Sequence, residues 1–168
     1  MIRLLGAAML VAGCGGFGFS LASAQRREAR MLHRLISVLQ EMEWELKYRM
    51  TELPELCSLA ADASGGSLRS VFRELGEKLR RREVLDISAC FNDILERRDL
   101  PKYVRRNLKQ LGACLGRFDL EGQVQGLEAV RCQCRQDLAR LQENGPQRMR
   151  NYQILALCAG AALAILFI

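Results

Sequence analysis

Proton-transfer chemistry would need a histidine or a pair of carboxylates held apart from solvent. His33 is the only histidine. It stands among Arg26, Arg27, Arg30 and Arg34, a basic stretch in which an imidazole reads as a surface or interfacial residue rather than a base. Glu41 and Glu45 are four apart, the spacing of a solvated helix face. The seven cysteines are Cys14, Cys57, Cys90, Cys114, Cys132, Cys134 and Cys158. An odd, scattered set is no disulfide framework, and buried or idle thiols in a reducing compartment are the expectation. Cys132 and Cys134 fall on different faces of a helix, with no further Cys pair or histidine to complete a zinc site. The glycines at 13, 15, 16 and 18 lie in an uncharged run and make no phosphate-binding loop after a strand. No metal, no cofactor and no enzymatic activity are expected.

The elements that carry these residues are very unevenly charged. Of 168 residues, 49% are hydrophobic and 26% charged, an ordinary soluble average. Yet the 22 residues Leu4–Gln25 and the 18 residues Asn151–Ile168 carry no charge. All nineteen acids and all bases but Arg3 lie in residues 26–150, which have a net charge of +5. A simple soluble globule would not concentrate its uncharged runs at its ends. Two runs are too few for a polytopic transporter, and three prolines amid many leucines argue against disorder. The middle is one domain's worth of chain, too short for a multidomain enzyme.

As a helix, Leu4–Gln25 is about 33 Å long at ~1.5 Å per residue, enough to cross a bilayer core. Both ends, 1–25 and 151–168, are therefore expected to be transmembrane helices. The first has rival readings: Ala22-Ser23-Ala24 resembles a signal-peptidase site, and Val11-Ala12-Gly13-Cys14 a lipoprotein box. The arginines that follow at once resist translocation. With Arg140, Arg148 and Arg150 before the second run, they orient residues 26–150 to the cytoplasm and both termini across the membrane. The positive charge then reads as a topology signal and a contact with anionic membrane lipids. No motif points to nucleic acid. Small residues recur every fourth position at Ala8, Ala12, Gly16 and Ser20, and again at Ala156, Gly160 and Ala164. Such stripes let membrane helices approach closely, either each other or those of partner proteins.

The middle segment has helical periodicity throughout, so the fold class is all-α, a compact cytoplasmic bundle of about six helices. Leu32, Leu35, Ile36, Leu39, Met42, Leu46 and Met50 continue the first apolar run in a nearly unbroken helix from about Leu4 to Met50. Pro54 suits the first turn of a short helix bearing Leu56, Leu59 and Ala60. Residues 64–67 form a loop. Further helices carry Leu68, Val71, Phe72, Leu75 and Leu79, then Leu85, Ile87, Phe91, Ile94 and Leu95, then Val104, Leu108, Leu111 and Leu115. Asp99 is expected to cap the third of these, Gly116 to end it, and Asp119 to cap a last long helix.

Three stretches together resemble the stage III sporulation protein AB family of endospore-forming bacteria. The start, Arg3-Leu4-Leu5-Gly6-Ala7, is similar to that family's basic, Leu-Gly-containing N-terminus. A central signature is matched by Leu35, Leu39, Met42, Glu43, Glu45, Leu46, Tyr48, Thr51, Leu53 and Pro54, with Glu52 where the family usually has a proline. Gly112, Leu115, Gly116, Asp119 and Gln123 fit a second motif without a gap. Glu143-Asn144, Met149 and Tyr152 fit the approach to the terminal apolar run. Gly145-Pro146 departs from the family's pattern and is expected to kink or break the last helix.

The resemblance implies a non-enzymatic platform. Its central domain would be similar to the cytoplasmic domain of the F-type platform protein of type II secretion. It would work at the mother-cell septal, or outer forespore, membrane in the assembly that links mother cell and forespore. A secretion-type ATPase, stage III sporulation protein AA, and other membrane proteins of the same complex are the implied partners. Glu43, Glu45, Tyr48, Thr51 and Pro54 are then candidates for partner contact or for a structural corner. Gly112, Leu115, Gly116, Asp119 and Gln123 are candidates for a turn. The alternative is an exported helical binding domain, signal-cleaved or lipid-anchored at Cys14.

Overall fold

The computed structural model describes the backbone of residues 2–83, 85–116 and 119–167 and the side chains of residues 23–83, 85–116 and 119–143. Among these every regular element is a helix: α1 Ile2–Arg49, α2 Leu53–Ala63, α3 Gly66–Arg80, α4 Ile87–Glu96, α5 Lys102–Cys114 and α6 Leu120–Phe167. The chain divides into two compact units, residues 1–29 with 139–168, and Arg30–Leu138. The first consists of the N-terminal part of α1 and the C-terminal part of α6. No helix among the described residues is long and apolar enough to cross a membrane. The segments expected to span, 1–25 and 151–168, lie outside the described side chains except for 23–25. So do Ala8, Ala12, Gly16, Ser20, Ala156, Gly160 and Ala164.

The second unit is built from the apolar stripes. On α1, Leu32, Leu35, Leu39, Met42 and Leu46 are buried, while Arg34, Glu41 and Lys47 on the other side are exposed. Helix α2 packs on α3, α3 on α4 and α4 on α5. Phe72 of α3 and Phe91 of α4 meet at the centre with ring centroids 6.4 Å apart. Leu127, Val130, Cys134 and Leu138 of α6 complete the core. Each such side chain taken wholly from water contributes about 1.5–3 kcal/mol before the entropy of ordering it.

Four expectations are corrected. Leu85 lies outside α4, because the Asp86 carboxylate accepts the Ser88 N–H at 2.9 Å and starts the helix after it. Asp99 caps nothing at α5, whose N-cap residue is Pro101 with no side-chain bond. Met50 is not on the α1 stripe: it takes φ +50 beyond the last helical turn and is exposed. Nor does Gly145-Pro146 end α6, which runs on to Phe167. A proline inside a helix removes one backbone hydrogen bond, and the long helical runs on both sides keep theirs.

Candidate functional site

The first motif folds into the reversal between α1 and α2. Helix α1 stops because Met50 turns into the left-handed region. Glu52 is extended as the N-cap residue of α2, with Pro54 in the first turn, where a missing N–H costs nothing. The Glu52 carbonyl accepts the Leu56 N–H at 2.9 Å. The Glu45 carboxylate ties the reversal together: it accepts the Thr51 hydroxyl at 3.0 Å and an Arg49 N–H at 3.4 Å. Glu43 points elsewhere, toward α6, where its Oε2 stands 3.2 Å from an Arg131 nitrogen as an ion pair, both side chains mostly buried.

Tyr48 alone of the five faces outward. It is 65% exposed, beside Trp44 at 50% and Met50 at 72%. The Trp44 and Tyr48 rings are 5.5 Å apart, one turn from each other on α1. The Arg49 guanidinium lies 5.4 Å from the Trp44 ring centre and the Lys47 ammonium 5.8 Å from that of Tyr48. Trp, Tyr, Met and Arg are residue types enriched at protein interfaces. Next to the aromatic pair, between α1 and α2, a groove of about 360 Å³ is lined by Met42, Trp44, Leu56 and Leu59, with Glu41 and Asp62 at its edge.

The second motif forms the α5–α6 link. A Cβ on Gly112 would meet Phe91 Cδ1 at 2.6 Å, so the glycine lets α5 and α4 approach. Leu115 is buried as the C-cap residue, and its N–H reaches the Leu111 carbonyl at 3.0 Å. Gly116 then takes φ +75, a conformation that other residues rarely adopt. The Asp119 carboxylate accepts the Gly122 N–H at 3.0 Å, and its carbonyl accepts the Gln123 N–H at 3.0 Å. These five residues join two helices and border no groove described above.

A buried polar centre was missed in the sequence. The wholly buried Asp137 of α6 accepts Arg106 Nη2 on both oxygens at 2.5 Å, Asn107 Nδ2 at 2.8 Å and Gln133 Nε2 at 3.3 Å. Asn107 also donates to the Tyr103 carbonyl at 2.8 Å. Asp137 lies three residues after Cys134 and seven after Val130, and Asn107 three after Val104. Polar residues at apolar-stripe positions were the available signal. Burial pushes the neighbouring Cys134 thiol up to about 12, with the Asp137 charge adding to the rise and Arg106 opposing it. Burial alone pushes Cys57 up to about 12. Such thiols stay protonated and unreactive at neutral pH. Among the described residues no group of three His, Cys, Asp or Glu side chains could hold a metal ion.

The described residues define an all-helical protein with an outward aromatic pair at the α1–α2 reversal. The family model of stage III sporulation protein AB matches residues 3–168, and the chain belongs to that family, with the role in sporulation that membership carries. No curated protein and no solved structure matches it.

Proposed function

We propose that this chain is a non-enzymatic platform of the complex between mother cell and forespore. The apolar segments 1–25 and 151–168 anchor it in the mother-cell septal membrane. Residues 26–150 stand in the cytoplasm, as the arginines beside both segments favour. A secretion-type ATPase, stage III sporulation protein AA, docks on the bundle, and the other membrane proteins of the complex meet the spans. One observation carries this reading. Helix α1, Ile2–Arg49, contains the uncharged run Leu4–Gln25 and carries the exposed Tyr48 in its last turn, with the exposed Met50 just beyond it, so one element bears both the proposed anchor and part of the proposed contact surface. The central domain's likeness to the type II secretion F-type domain rests on the sequence motifs.

The test is capture of the ATPase by the full-length protein in mild detergent. Wild type should retain it, and Tyr48→Ala with Met50→Ser should lose it at unchanged helix content. Absence of binding by wild type removes the docking reading. Reporter fusions at residues 65–66 should report cytoplasm, and an intact mass should include residues 1–24 without lipid on Cys14. A chain cleaved after Ala24, or lipidated at Cys14, would instead support an exported binding domain.

A further inference from the structure

Two surface features stand apart from the α1–α2 reversal. One is the groove between α1 and α2, with a floor of Met42 and Leu56 and walls of Trp44 and Leu59. Glu41 and Asp62 stand at its edge, and neither carboxylate has an ion-pair partner among the described residues. The nearest cation along α3, Arg69, is turned to the carbonyl oxygens of Ala61 and Asp62. The Arg49 guanidinium lies over the Trp44 wall, and Glu41 and Asp62 supply two unpaired carboxylates along the rest of the lining. The other surface is the α3–α4 link. There Leu85 is wholly exposed, and Arg81 and Arg82 beside it are exposed and unpaired among the described residues. Of the two acids on the link, Asp86 is occupied by its cap and only Glu83 offsets the arginines.

Each surface has what the other needs. An exposed leucine beside unpaired cations complements, in apolar character and in charge, a groove edged by unpaired carboxylates. We propose that Arg81, Arg82 and Leu85 of one chain dock at the α1–α2 groove of a second copy, with Leu85 between Trp44 and Leu59 and the arginines against Glu41 and Asp62. One leucine and two exposed ion pairs make a weak contact in dilute solution. Chains held in one membrane meet at far higher local concentration, so the inference rests on the anchored reading above. Every copy carries both halves, so the contact either closes as a reciprocal pair or continues from copy to copy.

The test uses the full-length protein in vesicles, with the photo-reactive residue p-benzoylphenylalanine at position 85. Illumination should give a dimer whose cross-linked peptide maps to residues 41–63. Reversing the groove charge, Glu41→Arg with Asp62→Arg, should lower the yield at least tenfold. Reversing the link, Arg81→Glu with Arg82→Glu, should do the same. Mixing the two charge-reversed proteins should restore a product between link and groove. A yield indifferent to both reversals, an adduct with lipid, or a cross-link to another surface overturns the proposal. Flotation separates the two readings: a protein that floats yet gives no groove-mapped product overturns the docking alone. One that stays out of the vesicle fraction fails the anchoring, and with it the tethering that the contact requires.

Discussion

Asp137 and Arg106 are unequal partners. The carboxylate is wholly buried while the Arg106 side chain is 45% exposed, so removing one is not the same as removing the other. Arg106→Ala leaves a buried anion with only neutral donors and should cost about 3–5 kcal/mol. Asp137→Ala leaves a cation that water can reach and should cost less, about 1–3 kcal/mol. The double variant should fall short of the sum, because the stranded charge is gone. Denaturant unfolding in mild detergent, followed by far-ultraviolet circular dichroism, measures all three. The thiols give a pH dependence of known sign. Cys57 rises from an ordinary 9.0 to about 12 in the fold, so the folded state holds this proton more tightly than the unfolded one. Its contribution is complete below pH 9 and is lost as pH rises toward 12. Cys57→Ala should therefore flatten the alkaline fall of the melting temperature. Asp137 was overlooked because a single carboxylate at an apolar-stripe position is a weak signal, and charge pattern alone does not reveal which carboxylate a fold will bury. His33, by contrast, was readable: it is exposed on a basic helix.

Helix content was legible because the apolar spacing is strong and β-branched residues are few. Residues 32–46 on α1, 68–75 on α3 and 104–111 on α5 bury the positions that the periodicity selects, save Ile36, which is only half-buried. Starts and stops were legible only where the chemistry is local. Asp119 and Gly116 act within four residues of their partners. At α4 the start was not read from the sequence: the Asp86 carboxylate caps the helix and leaves Leu85 outside it. The candidate contact residues divided for a similar reason. Glu45, Thr51 and Pro54 meet in the reversal and Glu43 faces Arg131, which only tertiary contacts reveal. Gly112 provides the test of helix approach. Gly112→Ala would place its methyl within 2.6 Å of Phe91, so the two helices must separate, at a cost of about 1–3 kcal/mol. Adding Phe91→Leu should recover part of the loss, and a melting curve in detergent resolves both steps.

For the chain as a whole, family membership and helical class stand on firm ground, while the platform role depends on which compartment holds each end. The uneven charge that suggested two anchors is a property of sequence, and the folded unit Arg30–Leu138 neither needs nor contradicts it. Helix α1 continues from the N-terminal segment into the bundle, as α6 continues from the bundle into the C-terminal one. A straight helix preserves angular phase as well as distance: each inserted residue turns all that follows by about 100° and advances it by ~1.5 Å. Two alanines added between Ser23 and Arg26 would shift the helical phase of every later α1 residue by about 200°. Seven would lengthen the helix by about 10 Å and nearly restore its bearing. Capture of the ATPase from intact membranes should fail for the first and survive for the second if facing direction matters more than reach. The anchor would then act as a compass as well as a tether.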